Sequence, residues 1–429
     1  MPGKRVRVFN KSRFSVGALD GEGMARGKVL AGASIFCVMM MVAMSFSMVV
    51  MAKNDDQKVR VIVLFKDKID GKMVTDRGGE LLGSFDNIPA VVTELKSSAI
   101  NELKKNGNIK AVEEDAECWM VGEGKEQAKG AGSKPPAQPT QNIEWGIKKI
   151  SADQAWTSTT DSGVSVAVLD TGIDTNHPDL AANIKGGTNL VNTRRTYEDD
   201  NGHGTHCAGI IAAVNNIIGV VGVAPNAMIY AVKVLNSAGS GSYSTIIAGI
   251  DWAISKKASD PTLMVISMSI GGTTGSSALE AACARAANAG IQIIAAAGNS
   301  GGAVLYPAAY DKYVIAVSAT DSNNVIASWS CRGPQVDLAA PGVSIRSTYM
   351  GDTYATMSGT SMACPHVSGV AALVISHPKA GHDTNGNGIW DPAEVQSCLQ
   401  STATNLGNDG GWDQLYGWGL VNAKAAVGA

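Results

Sequence analysis

Aromatic side chains are scarce in this chain: phenylalanine, tyrosine and tryptophan together make up 5% of its 429 residues. Glycine is abundant instead, 49 residues, which suits tight turns and close backbone packing more than stacking surfaces. Charge is equally sparing. A net charge of −3 gives no basic footprint for nucleic acid. No internal repeat stands out. The seven cysteines form no evident framework: Cys37 lies in an apolar leader, Cys118 precedes the main region, and Cys207, Cys283, Cys331, Cys364 and Cys398 are an odd five at wide, irregular spacings. At least one thiol stays free if pairing is internal, and buried structural cysteine is the plain reading for most of them. What remains is 45% hydrophobic and 17% charged residues, the balance of a compact globular chain long enough for two or three domains.

The N-terminus carries one long uncharged run, Val29 to Ala52, preceded by Arg26 and Lys28. It is long enough to span a bilayer. Val50-Met51-Ala52 also fits the small-x-small rule for signal cleavage, and Met24 would start a short basic n-region. Residues 1–52 therefore read as a signal peptide or a membrane anchor, and in both cases the rest of the chain is exported.

Residues 58–121 form a small unit. KVRVIVLF, ELLGSFD, AVVTEL and IKAVEED read as strands, SSAINELKKN as an amphipathic helix, and a short helix fits near Lys72–Arg77. This is the β-α-β-β-α-β pattern of a small ferredoxin-like α+β domain. Residues 122–140, rich in Gly, Pro, Lys and Gln without apolar periodicity, read as a flexible linker. From 141 to 429 the pattern changes. GVSVAVLD, AMIYAVKVL, LMVISMSI and IQIIAAAG are nearly continuous apolar runs separated by helical stretches such as TIIAGIDWAISKK and SALEAACARAANAG. Strands apolar on both faces that alternate with helices predict an α/β domain, a three-layer fold whose central parallel sheet is covered on both sides. Ligands bind such sheets at the carboxyl ends of the strands.

Four motifs fall at such places. VAVLDTGID ends a strand at Asp170, where a carboxylate needs a partner or caps a helix. GHGTHCAG packs His203, His206 and Cys207 into five positions, so that a zinc site and a catalytic base are both open at this point. AAAGNSGG places Asn299 just after a buried strand, and GTSMACPHV places Ser361 before an apolar helix, where an isolated serine is usually an N-cap. The order is Asp, His, Asn, Ser. With these motifs in register the chain resembles the subtilisin-like serine proteases from Gln141 to the C-terminus. Residues 58–121, with VEED near their end, resemble the inhibitory propeptide of that family. Zinc recedes, because HEXXH is absent and no third ligand set is evident. An α/β-hydrolase would need the order Ser, Asp, His, and a non-catalytic calcium-binding scaffold would be favoured by a missing triad member; none is missing.

The resemblance implies a self-cleaving proenzyme. Ser361 would be the nucleophile, His203 the base, Asp170 its orienting partner and Asn299 the oxyanion donor. His206 would make a structural hydrogen bond, and Cys207 resembles the free cysteine of the proteinase K branch. Peptide substrate would lie as an added strand between Gly239-Ser240-Gly241 and Ser269-Ile270-Gly271, with broad specificity and an apolar P1 residue. Ser269-Ile270-Gly271 and Ala296-Ala297-Gly298 would wall the P1 pocket, with Leu305 narrowing its floor. The first cut is expected within Trp119–Gly122, and the released unit should inhibit as the enzyme's own partner. Protein and peptide substrates, no nucleic acid, a monomer and a secreted location complete the expectation.

Calcium is implied twice. Gln141, Asp179, Val214, Asn216, Ile218 and Val220 match the family's high-affinity loop site, which uses side-chain oxygens and backbone carbonyls as a hard cation requires. Asp383, Asn385, Asn387, Ile389, Asp391 and Glu394 fit the EF-hand loop pattern; an ordinary polar turn is the other reading. Pro392 is tolerable where that loop enters a helix.

Overall fold

The computed structural model describes residues 57–121, 137–160, 163–377, 383–387, 389–407 and 410–429. The leader and most of the linker lie outside the described residues. Among the described residues no helix is long and apolar enough to cross a membrane.

The first unit runs β1 (Lys58–Phe65), α1 (Gly71–Thr75), β2 (Glu80–Ser84), β3 (Ala90–Lys96), α2 (Ser97–Lys104) and β4 (Ile109–Glu114), as the alternating pattern predicts. Its antiparallel sheet has the order β2-β3-β1-β4. Because side chains alternate along a strand, the unit has two apolar faces. Val61, Val63, Phe65, Val91 and Leu95 pack with Val74, Ala99 and Leu103 of its own helices. Ile62, Leu64, Ala90 and Val92 join instead the core formed by the large domain's helices. A short strand, β5 (Glu117–Met120), then leaves the unit.

In the large domain come α3 (Trp145–Lys149), α4 (Ala152–Ala155), β6 (Ser165–Asp170), β7 (Ile184–Asn189), α5 (His203–Ala212), β8 (Met228–Lys233), β9 (Ser240–Ser242), α6 (Tyr243–Ser259), β10 (Leu263–Met268), β11 (Ile270–Gly271), α7 (Ser277–Asn288) and β12 (Gln292–Ala296). β13 (Val314–Thr320), β14 (Val336–Pro341), the hairpin β15 (Ile345–Tyr349) and β16 (Thr353–Met357), α8 (Thr360–Ser376), α9 (Pro392–Ser401) and α10 (Ala423–Val427) complete it. Seven strands form one sheet in the order β14-β13-β12-β10-β6-β8-β7, with every neighbouring pair parallel. This is an α/β architecture, with the covered parallel sheet that the apolar runs predict.

α8 is the central helix. Its residues from Thr360 to Val374 are all buried, so it reads as apolar all round rather than amphipathic. Pro365 lies inside it and cannot donate to the carbonyl of Ser361 four residues earlier. That freed carbonyl matters at the site below.

Candidate active site

Asp170 ends β6 and is 1% exposed. Its Oδ1 accepts from the backbone N–H of Thr171 at 2.7 Å and lies 2.7 Å from Nδ1 of His203. His203 is the first residue of α5. Gly202 before it has φ of 104°, and a Cβ there would stand 2.3 Å from the Tyr349 ring. A Cβ on Gly204 would stand 2.1 Å from the Gly172 carbonyl. The two glycines thus let α5 start hard against the β6 loop, bringing the imidazole to the carboxylate. Burial works against a charged ring, but the Asp170 carboxylate outweighs it and holds the His203 pKa well above its ordinary value.

Asp199, which the sequence reading missed, ties these two segments together. Its Oδ1 accepts from Thr171 Oγ1 (2.8 Å), Asn201 N (3.0 Å) and Gly202 N (3.0 Å). Its Oδ2 accepts from Thr205 N (3.0 Å) and Thr205 Oγ1 (2.6 Å). One carboxylate therefore caps α5 and fastens it to the residue after Asp170. The available sequence signal was an acidic residue four positions before a histidine at a helix start.

Ser361 is the second residue of α8, not its N-cap; Gly359 holds that place. The Ser361 carbonyl released by Pro365 accepts from Ser269 Oγ (2.9 Å) and Cys207 Sγ (3.4 Å). Burial pushes the Cys207 thiol up, keeping it a neutral donor. Asp170, His203 and Cys207 bring ligand-type atoms within 4.8 Å of one another. Hydrogen bonds account for that grouping, since Asp170 takes His203 Nδ1 and the Ser361 carbonyl takes the thiol. His206 Nε2 donates to the carbonyls of Ile345 and Ala355, each at 3.1 Å, in the structural place expected of it.

β5 occupies the cleft. It lies between β9 and β11 in a three-stranded antiparallel sheet, pairing Trp119 with Ser240 and with Gly271, Cys118 with Gly241, and Met120 with Ile270. Met120 N donates to the Gly239 carbonyl (2.9 Å) and Val121 N to the Ser269 carbonyl (3.1 Å). The next carbonyl, that of Val121, accepts from Asn299 Nδ2 (2.6 Å), Ser361 Oγ (2.5 Å) and Ser361 N (3.3 Å). Asn299 can only present its NH₂ group there, because its Oδ1 accepts from both Thr360 N and Thr360 Oγ1 at 2.9 Å. Ser361 Oγ also donates to the Ser269 carbonyl at 3.2 Å. His203 Nε2 has no hydrogen-bond partner among the described residues, so the serine hydroxyl is turned onto the covering strand. Ala296, Ala297 and Gly298 stand at the end of β12, and the Ala297 carbonyl accepts from Leu305 N at 2.9 Å.

Carboxylates fix the covering unit to the domain. Glu113 accepts from Ser276 Oγ and Ser277 N, both 2.8 Å, at the start of α7. Asp115 accepts from Ser244 N (2.7 Å) and Ser244 Oγ (2.6 Å) at the start of α6. In return, Asp251 accepts from the backbone N–H groups of Asp86 and Asn87, both 2.8 Å.

Both candidate calcium loops are oxygen-rich. Asp179 is fully buried without a cationic partner among the described side chains; it accepts from Asn216 Nδ2, Val220 N and Tyr354 OH, each at 2.9 Å. Gln141 turns its amide head to the carbonyls of Val214 (3.2 Å) and Val220 (3.4 Å). The Ile218 backbone N–H bonds Asn216 Oδ1 at 2.7 Å. In the other loop Asp383 Oδ1 accepts from Gly386 N (2.7 Å), Asn387 Oδ1 accepts from Ile389 N (2.7 Å), and Asn385 Nδ2 reaches Asp391 Oδ2 (2.7 Å). Glu394 folds back to accept from Asp391 N (3.1 Å) and Thr384 N (2.7 Å), and these bonds hold its carboxyl below the usual range. Pro392 opens α9, as its fixed φ allows.

Residues 161–419 match the subtilase family of peptidases, S8. The chain is 41% identical to subtilisin E of Bacillus subtilis over 423 residues, covering 94% of this chain and all of that protein. It is 45% identical to M-protease of Shouchella clausii over 350 residues, 81% of this chain and 82% of the relative. Identity is 41% to a thermostable alkaline protease of Halalkalibacterium halodurans over 393 residues, 91% and 98% of the two chains. An extended strand crossing a cleft that holds a buried Asp–His pair and a helix-start serine is what peptide-bond hydrolysis needs, and with these matches the chain belongs to the subtilase family of serine endopeptidases.

Proposed function

We propose that the protein is a secreted, calcium-stabilised endopeptidase made as a self-cleaving proenzyme, with Ser361 as nucleophile, His203 as general base and Asp170 as its orienting partner. The observation that carries this reading is the Val121 carbonyl, placed within 2.5 Å of Ser361 Oγ and 2.6 Å of Asn299 Nδ2. Attack by Ser361 Oγ on that carbon, with its proton passing to His203 Nε2, gives a tetrahedral oxyanion where Asn299 and the Ser361 N–H already donate. His203 then returns the proton to the leaving amine of Gly122, leaving an acyl-enzyme that water hydrolyses through the same base. Asp170 keeps Nδ1 protonated and stabilises the imidazolium.

Residues 58–121 act as an inhibitory propeptide, since their last strand fills the cleft like a product and Glu113 and Asp115 cap two helices of the enzyme. Substrates are proteins and peptides, bound in the same strand geometry, mainly through backbone, with an apolar P1 residue. Calcium would be held by Gln141, Asp179, Val214, Asn216, Ile218 and Val220, and by Asp383, Asn385, Asn387, Ile389, Asp391 and Glu394. Buried carboxylate and convergent carbonyls suit such a hard cation, which supplies structural charge balance. The apolar leader 29–52 directs export, as a cleaved signal or as an anchor with the catalytic domain outside, and the enzyme acts as a monomer.

Phenylmethylsulfonyl fluoride labelling tests the reading. Covalent modification of Ser361 with loss of turnover is the expected result, together with a first-cut product beginning at Gly122. An unlabelled serine in an active protein would overturn the assignment.

A further inference from the structure

Val121 offers its carbonyl for attack, so its side chain marks the P1 position, and its surroundings set which residues the enzyme cuts after. Val121 is 8% exposed. One wall of its pocket is Gly271, where an added Cβ would stand 3.4 Å from Val121 Cγ1 but only 2.6 Å from Leu305 Cδ1. Across the pocket, a Cβ on Gly298 would stand 2.8 Å from that same Leu305 carbon and 2.7 Å from Leu305 Cγ. The leucine side chain thus lies against both glycine walls at once, beside the valine methyl. Its backbone is pinned on either side: Leu305 N donates to the Ala297 carbonyl at 2.9 Å, and Tyr306 exchanges two hydrogen bonds with Gly272 at 2.8 and 2.9 Å. Behind the Gly298 wall lies the fully buried Cys331, whose Sγ would be 2.8 Å from the same added Cβ. Backbone hydrogen bonds hold the Leu305 main chain in place, while its side chain is partly exposed.

We infer that Leu305 is the floor of a shortened P1 pocket, and that the enzyme cuts after alanine, valine and threonine while refusing phenylalanine, tyrosine, lysine and arginine. The valine at its own processing point is a residue of the size that this pocket admits. The inference rests on the proposed serine-protease reading of Val121 as P1. Single methylene differences in an apolar pocket are worth roughly 10–200-fold in kcat/KM, and an aromatic ring exceeds valine by several carbons.

The test uses mature enzyme, its active sites counted with a fluorophosphonate, on peptide p-nitroanilides that differ only at P1. Alanine and valine should exceed phenylalanine in kcat/KM by on the order of 10²-fold. In Leu305→Gly that ratio should fall at least tenfold. A second arm leaves the enzyme's pocket untouched: Val121→Phe in the active chain should accumulate uncut. Wild-type enzyme that prefers phenylalanine, or Val121→Phe protein that processes at the normal rate, would overturn the proposal. Failure of every peptide together with absence of fluorophosphonate labelling would remove the protease reading itself, and the proposal with it.

Discussion

The side-chain amide of Asn299 donates to the Val121 carbonyl at 2.6 Å while Thr360 holds its amide oxygen from the other side with two hydrogen bonds. The donor is therefore aimed before any charge develops. Asn299→Leu keeps the branched shape and heavy-atom count while deleting both this donor and the oxygen that Thr360 uses. It should leave KM nearly unchanged and lower kcat by roughly 10²–10³. Steady-state kinetics on a peptide substrate check this, and an unimpaired kcat would remove Asn299 from the oxyanion site.

Ser361→Ala should abolish turnover and leave the chain uncut, and that uncut protein should already bind calcium. Gln141 reaches the carbonyls of Val214 and Val220 in the same chain whose Val121 occupies the cleft. Calorimetric titration of Ser361→Ala protein should show the loop site at full affinity. A site that is filled only after cleavage would contradict the coexistence of these contacts.

Glu113→Gln and Asp115→Asn should each weaken the 58–121 segment as an inhibitor added in trans. Each carboxylate meets a helix start, where a cap and its charge are together worth about 1–2 kcal/mol, or roughly 5–30-fold in the inhibition constant. The double variant should lose about the product of the two, because the caps sit on different helices. An inhibition constant unmoved in both single variants would show that the apolar face alone sets affinity.

The two buried histidines, His206 and His366, should cost the protein stability as pH falls below about 6.5. Burial, followed by the neighbouring His203, lowers the His206 pKa to about 3, and burial lowers that of His366 to about 4. Unfolded histidines take up protons near pH 6.5, so below that value the unfolded state binds more protons and stability falls with pH. His203 works the other way: its raised pKa gives stability that is complete below 6.5 and lost as pH rises through its folded value. Asp337, whose carboxyl burial pushes up to about 7, also takes up its proton in the folded state and opposes the loss. In Ser361→Ala/Asp337→Asn protein, which cannot digest itself and lacks that carboxyl, denaturant midpoints should drop between pH 7 and pH 5, and a flat profile would refute the linkage.

Asp383→Ala should remove one calcium per chain and lower the thermal midpoint measured in calcium, because Asp383 Oδ1 organises the turn at Gly386 and, on the proposed reading, would also supply a ligand. Unchanged stoichiometry and midpoint would reduce the loop to an ordinary polar turn.

Much of this architecture was legible because burial leaves a plain pattern. β6, β8, β10 and β12 are apolar on both faces and stand out as runs. β7, IKGGTN, does not; it is a glycine-rich edge strand recognisable only by its pairing with β8. The motif residues of the site were visible because glycines and a strand end mark them. Asp199 was not, since its importance lies in five hydrogen bonds to groups up to 28 residues away. That the Val121 carbonyl, inside the expected cut window Trp119–Gly122, is the one that meets Ser361 and Asn299 is visible only when β5 is seen paired on both edges, a long-range register that no local period encodes.

That pairing has a consequence for what the enzyme attacks. A strand gripped on both edges must bring its own backbone donors and acceptors unspent. A helix or an interior sheet strand has already committed those groups to itself, and it would have to unravel over several residues before it could take the place of β5 between Gly239–Gly241 and Ser269–Gly271, where substrate is proposed to bind. Digestion of a folded protein is then governed by how often a segment opens, so in a mixture the protease would act as a gauge of local disorder, clearing damaged chains while sound ones of the same sequence persist.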